Sequence, residues 1–111
     1  MSMSECVIPE MRVGKIIAVE EPEGLRNKAW VMTLDFGPYG IKKSVGQFKN
    51  FSAEEMIGRL VVAVVGLGTK KVGSYSSECL VLGTMVDAAD HNLGHYFIEP
   101  SPKSKLGDLI G

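Results

Sequence analysis

Residues 51–77, FSAEEMIGRLVVAVVGLGTKKVGSYSS, join a capped short helix, an apolar strand and a glycine- and lysine-rich loop without a break. Ser52 and Glu55 have the S-x-x-E spacing of a capping box, in which the Ser52 hydroxyl accepts from the Glu55 N–H and the Glu55 carboxylate accepts from the Ser52 N–H. Phe51 before the cap and Met56 after it are placed as a hydrophobic staple. Gly58 is the stop, because glycine takes the left-handed conformation that ends a helix. About six residues between cap and stop are too few for propensity to hold a helix, so Met56 and Ile57 must pack on a core. A helix this short, running straight into β-branched residues, fits a small β-barrel plugged at one end. The loop that follows would form a basic rim. Such a surface suits binding rather than bond breaking.

The chain has 111 residues, the size of one domain, expected to span 1–111 with a short arm over 1–10 and a tail over 99–111. Twelve basic and 13 acidic side chains leave a net charge of −1, which argues against coating nucleic acid by bulk charge but leaves room for a local patch. Cys6 and Cys79 are far apart and form no C-x-x-C, the usage of free thiols in a reducing compartment. The stretch MSMSECVIPE has no basic start and no long apolar run, so it does not read as a signal peptide. The longest apolar stretch, Leu60 to Leu67, is far below the ~20 residues of a membrane span. Cytoplasmic residence without membrane insertion is the expectation.

Strands are expected at Arg12–Val19, Ala29–Phe36, Ile41–Val45, Arg59–Val65 and Cys79–Val86, with His95–Ile98 extending the sheet. Gly14 is a possible bulge or bend in the first. Residues 20–28 form a loop around Pro22 and Gly24, and GPYG at 37–40 a turn. Five or six short strands with a helix between the third and fourth is the order of the OB-fold. The expected class is therefore mainly β, a five-stranded Greek-key barrel that commonly binds through its strand 2–3 face and the loops joining strands 1–2 and 4–5. A five-stranded barrel of another family fits the same pattern.

In that layout Arg26 and Lys28 lie in the first loop, Lys42, Lys43 and then Lys49 on and after strand 3, and Lys70 and Lys71 in the loop between strands 4 and 5. A cluster of this kind can neutralise several phosphates despite a net charge near zero. Gln47, Ser44, Ser74, Ser76 and Ser77 offer hydrogen bonds. Phe48, Phe51 and Tyr75 can stack on a base or cradle an apolar side chain. Glu20, Glu21 and Glu23 share the first loop and repel phosphate.

Gly66-Leu67-Gly68 lacks the third glycine of a dinucleotide fingerprint, and Gly68–Gly73 has P-loop spacing with Ser74 where lysine is required. Asp87, Asp90, His91 and His95 contain metal-ligand types, but Asn92 and Gly94 favour a polar hairpin turn. No G-x-S-x-G elbow is present. Neither a catalytic site, a metal nor another cofactor is expected.

MRVGKIIAVE (11–20), LDFGPYGIKKSVGQFKNFSAEEMIGRLVVAVV (34–65) and SSECLVLG (76–83) resemble the CsaA type of stand-alone tRNA-binding-domain proteins. Similar domains are appended to methionyl-tRNA synthetases and to the EMAP-type cytokine precursor. The resemblance spans nearly the whole chain. It implies an OB-fold homodimer without catalytic activity. Two ligands are implied: tRNA or other structured RNA, and extended segments of secreted precursors held by an export-related chaperone. By matching position it places Lys42, Ser44, Gln47, Lys70, Lys71, Ser77 and Glu78 on the binding surface. RNA contacts are thus expected from Arg26, Lys28, Lys42, Lys43, Ser44, Gln47, Lys49, Lys70, Lys71 and Ser77, and peptide contacts from Phe48, Tyr75 and Glu78. The geometric core of the reading is that three cationic stretches, marked by Lys28, Lys43 and Lys71, share one side of the barrel.

Overall fold

A computed structural model describes residues 9–24, 29–72, 74–85 and 94–111. Its elements are β1 (Met11–Glu20), β2 (Trp30–Asp35), a 3-10 turn (Gly37–Tyr39), β3 (Ile41–Gly46), α1 (Ala53–Met56), β4 (Leu60–Val64), β5 (Lys70–Val72), β6 (Tyr75–Ser77), β7 (Leu80–Val81), β8 (Gly83–Met85) and β9 (His95–Phe97). One antiparallel sheet runs β3-β2-β1-β4-β7 and curls until β7 and β6 approach β3. This is the mainly-β OB-fold barrel the strand order predicts.

β1 serves two neighbours because it is long: Met11–Lys15 pair with β4 and Lys15–Glu20 with β2. The register slips between Ile16 and Ala18, so the bulge lies at Ile17 rather than at Gly14. Gly14 has a different task. A Cβ there would meet the Phe36 ring at 2.8 Å, so glycine lets that ring fill the barrel. Phe36, Ile16, Met32, Leu34, Met56 and Val61 are fully buried in one cluster with Phe48, Ala63, Val65, Cys79 and Val81. On β4, Val61 to Val64 are buried on both faces, which explains its unbroken apolar run.

The capping box of α1 is present in both halves, with Glu55 N donating to Ser52 Oγ at 3.3 Å and Ser52 N donating to Glu55 Oε1 at 2.9 Å. Those contacts hold the Glu55 carboxyl below its ordinary pKa. The helix ends in a type II turn: Ile57 is extended, Gly58 has φ +90°, and Arg59 N reaches Met56 O at 3.2 Å. Gly58 N then bonds Ile16 O at 2.7 Å, fastening the plug to β1.

Two expected segments differ. The fifth strand splits into β7, paired with β4, and β8, paired with β9, because Leu82 bridges Val62 O and Ile98 N at the bend. The stretch expected as a loop between strands 4 and 5 contains the β5–β6 hairpin. Its Gly73-Ser74 spacer between KKV and YSS is a two-residue hairpin signal. The residues expected as a tail run beside β1: Val13 N bonds Asp108 O, Gly107 N bonds Val13 O, and Ile110 N bonds Met11 O, all within 2.9 Å.

Candidate nucleic-acid interface

The candidate face is built where the barrel closes. On one flank β3 pairs with β2 continuously from Ile41 to Gly46. On the other flank the described residues make one backbone bond, Glu78 N to Lys43 O at 2.8 Å. Side chains complete the closure. Lys43 N donates to Glu78 Oε1 at 3.1 Å, Val45 N to Ser77 Oγ at 3.2 Å, and Val81 N to Ser44 Oγ at 3.4 Å. Ser77 Oγ in turn donates to Cys79 O at 3.2 Å. This seam sets β6 beside β3, and β6 pairs with β5, so Lys70 lies opposite Ser77 and Lys71 opposite Ser76. Lys42 and Lys43 on β3 and Lys70 and Lys71 on β5 are thereby separated by a single strand.

The seam changes what several expected contact residues do. Ser44 is 1% exposed and its hydroxyl faces Val81. Ser77 and Glu78 carry the closure bonds. Phe48 is a core residue, stacked on Phe97 at 4.0 Å between centroids. Gly83 must be glycine for this, since a Cβ would come within 2.6 Å of the Phe48 ring. Gln47 is exposed. Tyr75 is half-buried, and its hydroxyl accepts from Glu23 N at 3.4 Å, which brings the first loop against the hairpin. Arg26 and Lys28 lie outside the described residues, as do Asp87, Asp90 and His91 of the acid–histidine segment. His95 is buried beside Phe48. Among the described residues no group of His, Cys, Asp and Glu could hold a metal ion.

Charge on the face is uneven. Lys43 Nζ lies 3.8 Å from Glu20, and Lys49 Nζ lies 3.2 Å from Glu21 and 3.4 Å from the centre of the Trp30 ring. Lys42, Lys70 and Lys71 pair with no carboxylate among the described residues. Cys79 lies under the seam, its thiol 3.7 Å from Lys43 O. Burial and then the Glu78 charge push that thiol up to about 11.

Beside the seam an open groove of about 510 Å³ is lined by Val45, Phe48, Val72, Leu80, Leu82 and Met85 among others. Leu80 and Met85 are about half exposed. Sequence reasoning missed Arg12 as an anchor. Its guanidinium stacks 3.7 Å over Tyr39 and donates to Gly107 O at 2.8 Å, holding the C-terminal segment in place. Its position in R-V-G-x-I, where a charged residue opens a strand of the core, was the available signal.

A small helix-plugged barrel with a cationic hairpin at its rim defines an OB-type binding domain. The chain belongs to the family described as "Putative tRNA binding domain", whose profile matches residues 11–108. It is 34% identical over 93 residues to a methionine–tRNA ligase of Cupriavidus metallidurans, covering 82% of this chain and 13% of that protein. Against the methionine–tRNA ligase of Herminiimonas arsenicoxydans it is 30% identical over 103 residues, 92% of this chain and 14% of the relative. The chain thus spans about a seventh of the length of these relatives. Among solved structures, the CsaA chaperone protein of Picrophilus torridus superposes with a TM-score of 0.86 at 27% identity, covering 100% of this chain and 99% of that one. The chaperone CsaA of Bacillus anthracis superposes with a TM-score of 0.81 at 29% identity, covering 100% and 98%.

Proposed function

We propose that this protein is a non-enzymatic binder of tRNA or similarly structured RNA, acting as a single domain in the cytoplasm. Its contact strip runs from Lys42 and Lys43 on β3 to Lys70 and Lys71 on β5. The observation that carries this reading is the seam, which puts two lysine pairs 27 and more residues apart in sequence on strands separated only by β6. Membership of a family named for tRNA binding supports it. Lysines supply point charges for phosphates, and exposed Gln47 and half-buried Tyr75 lie beside them as polar and stacking contacts. Arg26, Lys28 and Lys49 join this proposal as flanking cations. Ser44 and Ser77 act on it indirectly, by holding the seam. Replacing Lys70 and Lys71 by alanine is expected to weaken tRNA binding about tenfold and to flatten the salt dependence by about 1.5 in slope. A gel shift at two salt concentrations reads both. Unchanged binding would remove the proposal.

The apolar groove favours a second reading. A groove lined by valines, leucines, Phe48 and an exposed Met85 suits side chains of an extended polypeptide, and methionine adapts to varied partners. Two structural neighbours are named chaperones. On this reading the protein holds unfolded preproteins, with Phe48 in the groove lining and Tyr75 and Glu78 as further peptide contacts, and works as a homodimer. Light scattering should then give twice the 12.0 kDa chain mass, and the protein should suppress aggregation of a denatured client without ATP. No suppression at molar excess would eliminate this alternative.

A further inference from the structure

We infer that the pocket between the start of β1, the 3-10 turn, β3 and the end of β4 is a phosphate site, and that the Glu10 carboxylate competes with the ligand for it. The inference deepens the RNA-binding reading above and rests on it. Side chains alternate across a strand. Lys43 accordingly reaches Glu20, whereas Lys42 lines a pocket of about 260 Å³ together with Glu10, Arg12 and Tyr39. Phe36 and Val65, both buried, line it too and lower its polarity, which strengthens ionic contacts made there. The lining thus sets two cations against one carboxylate. Asp35 and Asp108, on neighbouring segments, accept from Gly37 N and Lys105 N and do not line the pocket.

Arg12 is held ready for a ligand. Its side chain is 15% exposed, and its guanidinium stacks 3.7 Å over Tyr39. Nη1 donates to Gly107 O at 2.8 Å and Nε to Glu10 Oε2 at 2.7 Å. A guanidinium has five N–H donors, so these contacts fix its plane without exhausting it. Glu10 is placed by its backbone, whose O accepts from Val65 N at 2.9 Å. Its carboxylate is 48% exposed, meets Arg12 through one donor, and leaves Lys42 without a carboxylate partner among the described residues. A phosphate spreads its acceptor oxygens over a tetrahedron and can bridge Arg12 and Lys42 at once. Tyr39, 51% exposed beside the guanidinium, offers ring surface to the attached ribose or base. The same phosphate chemistry is presented by an RNA backbone and by the 5′ end of a strand.

The test is an NMR titration that follows the Arg12 Nε–H and Gly66 N–H signals, with inorganic phosphate, adenosine 5′-monophosphate and acetate as probes. Filter binding of tRNA with and without its 5′ phosphate accompanies it. Glu10→Gln keeps an acceptor for Arg12 Nε and removes the charge, so it should tighten adenosine monophosphate about threefold. Lys42→Ala should weaken that probe about tenfold. Thermal melts check that both variants fold as the parent does. Lys42→Ala should weaken tRNA as well. Loss of that effect on dephosphorylated tRNA assigns the site to the strand end, and its persistence assigns it to the backbone; both support the pocket. The inference is overturned by the lack of a saturable shift with either phosphate probe, or by two variants that bind like the parent. Acetate binding as tightly as phosphate, the mark of a peptide-carboxylate site, overturns it too. The RNA-binding reading is then judged separately, by the effect of Lys70→Ala plus Lys71→Ala on tRNA.

Discussion

The two flanks of β3 meet the same requirement with different groups. Toward β2, residues 41–46 are paired along their whole length, and any residue with a backbone can supply those bonds. Toward β6 and β7, closure among the described residues depends on the side chains of Ser44, Ser77 and Glu78 around one backbone bond. The first flank tolerates sequence change; the second specifies it. The lysines of the proposed RNA strip stand on either side of the specified flank, so the integrity of the seam and the geometry of the strip are one property.

The comparison can be broken from the β2 side. Phe36→Ala empties a fully buried ring site next to Gly14, and should lower unfolding free energy by about 3–5 kcal/mol in a denaturant titration. A loss near zero would mean that the core does not sit between β1 and β2. The seam should respond less and more locally. Glu78→Ala leaves Lys43 N without its acceptor, at a cost of about 1–3 kcal/mol. Cys79 reports the opening directly. In a Cys6→Ser background its alkylation should be slow at pH 8, because little thiolate exists below a pKa of about 11, and Glu78→Ala should accelerate it. The sign of the linked pH effect is defined. An acid whose folded pKa is raised from 9.0 to about 11 loses its proton first in the unfolded chain, so stability is unaffected below pH 9 and declines between 9 and 11. Alkylation as fast as that of an unfolded peptide would show the seam to be open. The smallest effect belongs to neither flank. Ser52→Ala removes the cap of α1 and should cost about 1 kcal/mol.

Much of the fold was legible because its signals are local. The Ser52–Glu55 pair, the Gly58 stop and the alternation of Met32 and Leu34 depend on neighbours within a few residues. The β5–β6 hairpin is equally local, but the lysines and glycines around it have the composition of a loop, which masks the two-residue Gly73-Ser74 spacer. The site was legible only in part. Serine and glutamate near lysines look like ligand contacts, yet Ser44, Ser77 and Glu78 spend their hydrogen bonds inside the protein. The same holds for Phe48, whose ring looked available for stacking and is enclosed by Phe97 and Gly83.

By itself the sequence determined the barrel class, the order of strands, the plug with its caps, and the kinship carried by R-V-G-x-I, D-F-G and S-E-x-L-V-L-G. These follow from hydrophobic period, backbone-permissive glycines and short-range hydrogen bonding, all of which are written in adjacent residues. Only the tertiary structure decided which polar groups close the barrel, and that Glu20 and Glu21 pair with Lys43 and Lys49. Those outcomes depend on burial and on distances between residues up to dozens of positions apart, and such distances exist only once the sheet has curled.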